Sequence, residues 1–516
     1  MYIVNICQKL CGVVLYSSVV CFFQGDIRQN KHVGARRNFK DVQMQTELVI
    51  QKKGFLGKFI GNKAFYKMVF AVAIPIMIQN GITNFVSLLD NIMVGLVGED
   101  QMNGVAIVNQ LFFIFNLGIF GAVSGAGIFT AQYFGKGDND GVVQTFRFKL
   151  MTAVVISAVA AGIFALFYQP LIKLFISMDL SLGENAAKAD ATFNFGVSYM
   201  WVMLVGLLPF ALSQAYSGTL RETGHTVLPM VAGFAAVAVN CVGNYLLIFG
   251  KFGCPELGVV GAAIASVASR FVELGILIVA THSSKKIDCG KGVFTRFFHV
   301  DKELVRKIFL KGAPLFVNEV VWATGMTLLT LCYSMRGLSA VAAYSISSTV
   351  VNVFNIAYMA LGNSVGIIVG KYLGAGDVET AQDVDNKMIA FSVMTGLVLG
   401  ALLAATSWLF PMAYNVSDEA KRIAASFLLI TGCLMPLHGF LHSCYFTLRC
   451  GGKTLITFLY DSVFVCVVNV PLAFALVKLT NLDVTWVYLI ANGIEVFKAV
   501  LGFVMLRKKI WINKIV

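Results

Sequence analysis

Ala131-Gln132-Tyr133-Phe134-Gly135-Lys136-Gly137-Asp138 closes one long apolar run of this 516-residue chain, and Gly370-Lys371-Tyr372-Leu373-Gly374-Ala375-Gly376-Asp377 closes another. The two stretches share a Tyr, two Gly and a final Asp in one register, 239 residues apart. Pro75 and Pro314, near the start of the preceding apolar run in each case, are separated by the same 239 residues. A register held over two whole runs with no net insertion is an internal repeat. Fainter echoes extend it: Thr219-Leu220-Arg221 against Thr447-Leu448-Arg449, and Asn240 against Asn469.

The runs themselves set the class. The chain is 58% hydrophobic and 13% charged, with a mean hydropathy of +0.77, whereas a soluble globular chain carries about 25% charge. Apolar stretches recur from residue 66 to residue 506. A stretch of about 20 residues crosses a hydrocarbon core of roughly 30 Å at about 1.5 Å per residue. Backbone polar groups in lipid must be satisfied within a helix or a closed barrel, and these runs are too long and too evenly apolar for barrel strands. Reading the hydrophilic joints predicts twelve helices, near 66–96, 102–134, 148–172, 191–219, 226–249, 258–281, 305–334, 338–371, 388–411, 420–447, 454–477 and 484–506.

The expected fold is therefore all-α integral membrane, with twelve transmembrane helices in two parallel six-helix lobes related by pseudo-twofold symmetry. An even number of helices per repeat makes both halves enter from the same side. The expected divisions are an N-terminal extension at 1–57, an N-lobe at 58–281, a linker at 282–304, a C-lobe at 305–506 and a basic tail at 507–516.

The net charge is +13. Most Lys and Arg fall in joints on one side, and the positive-inside rule then puts both chain ends and the basic loop from Lys285 to Lys311 in the cytoplasm of a multi-pass plasma-membrane protein. That pattern speaks against nucleic acid as a partner; the loop and the tail Arg507, Lys508, Lys509 read as a topology signal or a contact with anionic lipid. Eleven cysteines without a C-x-x-C pair read as small buried hydrophobes. Residues 1–25 form an apolar stretch holding Lys9, followed by a basic segment. They read as an extra helix, an uncleaved signal-like segment, or sequence upstream of a true start at Met44. The last is favoured, because an extra helix would put the extreme amino terminus outside.

Gly135-Lys136-Gly137-Asp138 lacks phosphate-loop spacing. No nucleophile, metal cluster or paired acids suggest an enzyme, and no filter or pore ring suggests a channel. Without a nucleotide-binding motif, transport must draw on an ion gradient.

An ionisable side chain at bilayer depth costs roughly 2.5–3.5 kcal/mol, so it is paired, hydrated or functional. In the first helix Gln79, Asn80, Thr83, Asn84, Ser87, Asp90 and Asn91 fall within an arc of about 140° at about 100° per residue. Asp90 is the ionisable member of that stripe and has no basic residue one turn away. It reads as a functional carboxylate, or else as a cap near the outer surface. Glu319 in the seventh helix is locally unpaired. Arg270 with Glu273, and Glu495 with Lys498, are expected to neutralise each other at i, i+3. His438 and His442 are one turn apart, with no third metal ligand evident. Gln79, Asn80, Asn84, Glu319, His438 and His442 are the candidates for a substrate cleft.

Several motifs, in order, resemble one family. They are Pro75-Ile76-Met77-Ile78-Gln79-Asn80, Leu89-Asp90-Asn91-Ile92-Met93-Val94-Gly95, Ser124-Gly125-Ala126-Gly127 and Thr130 through Asp138. Asn240-x-x-x-Asn244-x-x-Leu247-Ile248-Phe249-Gly250, Gly258 through Ser266, and Ala313 through Glu319 with Trp322 complete the set. Together they resemble the multidrug and toxic compound extrusion (MATE) transporters, nearer the DinF-like branch. The resemblance implies antiport of organic, often cationic, solutes against Na+ or H+ by alternating access, with no cofactor beyond the coupling ion. It also implies small-molecule substrates and membrane lipids as partners of a functional monomer.

In relatives the cation site uses an acid of helix one and polar residues of helices five and six, positions that match Asp90, Asn240, Asn244 and Ser266. A carboxylate with amide and hydroxyl oxygens suits a hard cation such as Na+ at Asp90, Asn240 and Asn244; interhelical hydrogen bonding is the other use of such asparagines. Two departures stand out. Asn244 replaces an Asp found in several relatives, and the tenth helix has no acid between 420 and 447. The alternative is a lipid-linked oligosaccharide flippase of the same superfamily, against which the sequence shows no cluster of intramembrane arginines.

Overall fold

The computed structural model describes residues 56–178, 186–284 and 287–516. The expectations for residues 1–55, including Met44, and for Lys285 and Lys286 lie outside them. Among the described residues, twelve helices are long and apolar enough to cross a membrane. They are α1 (Lys63–Gly95), α2 (Glu99–Lys136), α3 (Asn139–Met178), α4 (Ala186–Glu222), α5 (Val227–Phe249) and α6 (Gly258–Ser283). The second set is α7 (Lys302–Ser334), α8 (Leu338–Ala375), α9 (Val378–Thr406), α10 (Asp418–Cys450), α11 (Thr454–Leu479) and α12 (Val484–Arg507).

The repeated Gly-x-Gly-Asp is a stop and a start. Gly137 and Gly376 end α2 and α8 at φ 77° and 81°, a left-handed conformation that glycine adopts without penalty. Asp138 then accepts from the Gly141 N–H at 2.9 Å, and Asp377 from the Thr380 N–H at 3.0 Å, satisfying first-turn donors of the next helix.

Helices α3 and α9 begin at Asn139 and Val378, about ten residues before the positions expected from hydropathy. Their first turns carry Arg147, Lys149, Asp383, Asp385 and Lys387, which read as a polar joint. In the structure those side chains are folded inward onto partners. Arg147 donates to the carbonyls of Gly292, Val293 and His299 at 2.6, 3.0 and 3.1 Å, pinning the linker. Lys387 pairs with Asp383 at 2.5 Å.

Within the first six helices the main contacts are α5 with α6, α2 with α4 and α4 with α6; within the last six they are α9 with α10, α8 with α10 and α7 with α11. The two sets meet chiefly through α2 against α7 and α8, and α1 against α8. Glycines allow the closest approach. A Cβ on Gly125 would stand 2.5 Å from the Gly312 Cα, and Gly135 and Gly374 rest on the carbonyls of Lys371 and Gln132. The chain's last residues cross this seam. Trp511 is buried against Gly451, and the fully buried Gln132 of α2 donates to the carbonyls of Cys450 and Asn513 (3.0 and 3.3 Å) and accepts from the Ile515 N–H (3.0 Å).

Candidate functional site

Asn240 and Asn244 stand one turn apart on α5, both buried, and α5 packs on α1 and α6. Gly243 and Gly261 permit that approach, since a Cβ on either would press on Ala265 or Leu247. Asn244 Nδ2 donates to Asp90 Oδ1 at 2.5 Å and to Asn240 Oδ1 at 3.3 Å, and Asn240 Nδ2 donates to Ser266 Oγ at 3.1 Å. Asp90, Asn240, Asn244 and Ser266 thus form one chain of contacts across three helices.

Asp90, Asn240 and Ser266 face a cavity of about 70 Å³ together with Gln79, Thr83 and Arg270. Arg270 forms the expected pair with Glu273, at 3.1 Å, and its guanidinium also lies over the Phe210 ring. Two buried oxygens here, Asn244 Oδ1 and Gln79 Oε1, have no hydrogen-bond donor. Buried acceptors are ordinarily satisfied. The surplus at this site is of oxygen, from a carboxylate, two amides and a hydroxyl, and that is the donor set of a hard cation. Asp90 alone suits a proton.

The remaining candidates separate. Asn80 and Asn84 line neither this cavity nor the one between the halves. Glu319, His438 and His442 belong to the α7–α12 half. There Asn318 Nδ2 donates to the Tyr445 hydroxyl (3.3 Å) and Asp461 Oδ2 (3.4 Å), and Ser462 Oγ donates to the Asn318 carbonyl and side-chain oxygen, both at 2.7 Å. His442 stacks on Tyr358.

The Glu495–Lys498 pair does not form. The helical pattern of α12 breaks after Gly493 and resumes at Glu495, and the two side chains turn to other helices: Glu495 to His438 at 3.4 Å, and Lys498 to Asp461 at 2.9 Å. Asp461 escaped the sequence reading, although it is the lone acid of α11. Its neighbourhood matches two acids with Lys498 and His438, the pattern of a structural network.

A second cavity, of about 100 Å³, lies between the two sets of helices and is lined by residues of α2, α4, α8 and α10. Arg221 and Arg449, the repeat-related pair, both face it. Two arginines therefore meet one cavity, although no cluster of arginines lies within the apolar runs. Both residues lie in last turns that hydropathy assigns to joints, and the fold brings them together.

The sequence pattern that defines the MatE family matches residues 75–246 and 314–475. A "probable multidrug resistance protein NorM" of Thermotoga maritima is 27% identical over 83% of this chain and 89% of its own length. The "multidrug resistance protein MdtK" of Yersinia pseudotuberculosis is 25% identical over 70% and 76%. Among solved structures, an outward-facing multidrug resistance MATE family transporter superposes with a TM-score of 0.75 at 18% identity, over 89% of this chain and 98% of that one. A superfamily transporter from Pyrococcus furiosus, described as having a binding pocket of reverse polarity, gives 0.73 at 19% identity, over the same shares.

Proposed function

Because the chain belongs to the MatE family of membrane transporters, we propose that it exports small organic solutes by alternating access, in exchange for an incoming Na+ or proton held at Asp90. The observation that supports this reading most directly is the Asp90–Asn244–Asn240–Ser266 chain, with the undonated buried oxygens of Asn244 and Gln79 at the same site. Relatives named as multidrug resistance proteins support small organic solutes as cargo. The solute occupies the cavity between the halves. The protein works as a monomer in the plasma membrane, with the linker end of the bundle in the cytoplasm, as the positive-inside rule requires.

Exchange requires that cation and solute favour different states of the two halves. A carboxylate serves both ions, ligating Na+ or taking up a proton. The test is efflux from liposomes holding the purified chain, with Na+ and proton gradients imposed separately. Export driven by one or both gradients, and lost in Asp90→Asn, is expected; equal export by wild type and Asp90→Asn would overturn the coupling role.

The flippase alternative gains one supporting observation, the two guanidiniums in the cavity between the halves. A fluorescent anionic lipid in the same liposomes tests it.

A further inference from the structure

We propose that the solute carried between the two halves is an organic anion: a carboxylate, sulfonate or phosphate on an aromatic or otherwise apolar body. This rests on the exporter reading for the direction of travel, but the charge preference comes from the cavity itself.

Arg449 is only 5% exposed. Its guanidinium lies over the rings of Phe120, Tyr445 and Phe446, 5.4–5.8 Å from their centroids, and bonds the Tyr445 hydroxyl at 3.3 Å. No described carboxylate reaches ion-pair distance of it; Glu319 in α7 is its acidic neighbour and shares the Tyr445 hydroxyl with it. Arg221 lines the same cavity and likewise has no ion pair among the described residues. The one acid in the lining, Glu222, is already held by the fully buried Lys149 of α3, which also bonds Thr219 Oγ1 at 3.3 Å. Lys371, over the Phe134 ring, adds a further cation beside Gly224.

Cations thus outnumber acids in the lining, and neither guanidinium facing the cavity makes an ion pair with a described carboxylate. Holding an unpaired charge away from water is costly, and a ligand that brings the missing anion offsets that cost. The planar guanidinium fork matches a carboxylate or phosphate with two parallel bonds. Phe120 and Phe446 supply an aromatic wall for the body of the molecule. A cationic drug in the same place would meet two like charges.

The test uses the full chain in neutral-lipid liposomes under the imposed gradients, loaded with carboxyfluorescein as the anion or ethidium as the cation. A parallel arm follows translocation of fluorescent phosphatidylglycerol. Carboxyfluorescein is expected to leave at least tenfold faster than ethidium. Arg221→Gln and Arg449→Gln should each slow it at least tenfold, while Arg221→Lys retains most of the rate. Arg449 packs against three rings, so Ser124→Asp serves as a second variant: it keeps both guanidiniums, adds a negative charge to the lining, and should also slow the anion at least tenfold.

Preferred export of ethidium, or monodisperse Arg→Gln variants moving carboxyfluorescein at the wild-type rate, would overturn the proposal. Translocation of the lipid without export of carboxyfluorescein would support the anion chemistry and assign it to a headgroup. If no probe moved under either gradient, the exporter reading would fail. The charge preference would then be read from fluorescence anisotropy of carboxyfluorescein with the purified chain. Binding weakened at least tenfold in the Arg→Gln variants supports it; unchanged binding overturns it.

Discussion

Asp90 sits five residues before the end of α1 with one oxygen held by Asn244, and that contact sets what its replacement should do. Asp90→Asn keeps the volume and an acceptor oxygen, so expression and monodispersity should match wild type. Gradient-driven export should fall to the level of empty liposomes, while solute binding without a gradient persists. Asn244→Ala removes a neutral donor to the carboxylate, an interaction of about 1.5–3 kcal/mol; the half-saturating concentration of the driving cation should shift at least about tenfold, with the maximal rate retained. Asp90, Asn240 and Asn244 were legible because charged and amide side chains in an apolar run are costly enough to stand out. Ser266 was legible only through family resemblance, since a lone serine in a helix of small residues carries no signal. Arg221 and Arg449 were hidden by their position at helix ends, where arginine is unremarkable until the fold turns two ends toward one cavity.

At the scale of the helix, every predicted span has its counterpart, and the two largest errors share one cause. Hydropathy treats a charged turn as a joint, whereas the first turns of α3 and α9 remain helical because their charges find partners inside the protein. Arg147 shows what such a turn does: its three bonds to linker carbonyls hold Cys289 and Val293 in the interior. Burial also pushes the Cys289 thiol up to about 11, so little thiolate forms near pH 8 and the native residue should resist maleimide. Arg147→Ala should cost about 2–3 kcal/mol for the lost charge-assisted bonds. It should speed modification of Cys289, followed by peptide mass mapping, at least tenfold, and should open the linker to trypsin at Lys291 and Arg296. Unchanged Cys289 reactivity would show that the linker is held by its apolar contacts alone.

At the scale of the molecule, the two-part repeat was visible in the sequence as a fixed 239-residue register, but the seam between the parts was not. Which glycines replace a side chain with a neighbouring helix depends on packing, and nothing local distinguishes Gly125 from the other glycines of α2. Gly125→Leu should force α2 away from Gly312 and loosen the seam. Cys450, now 3% exposed beside the Gln132 contacts, should become reactive to an impermeant maleimide added on the linker side. Continued protection of Cys450 in a folded Gly125→Leu protein would place the point of closure elsewhere.

An anionic solute, the cargo proposed for the two guanidiniums in that seam, would also fix the sign of an electric current. An anion leaving the cell and a cation entering it both carry positive charge inward. One-for-one exchange of monovalent species therefore moves two charges per cycle down an inside-negative voltage. At about 2.3 kcal/mol per charge per 100 mV, that voltage contributes about 4.6 kcal/mol per turnover, close to three decades of accumulation at about 1.4 kcal/mol per decade. A cationic solute exchanged in the same way would move no net charge. A potassium diffusion potential set by valinomycin, with no other ion gradient, should therefore drive carboxyfluorescein out of the liposomes, and reversing its polarity should stop the flow; indifference to the potential would mean that the exchange is electrically silent.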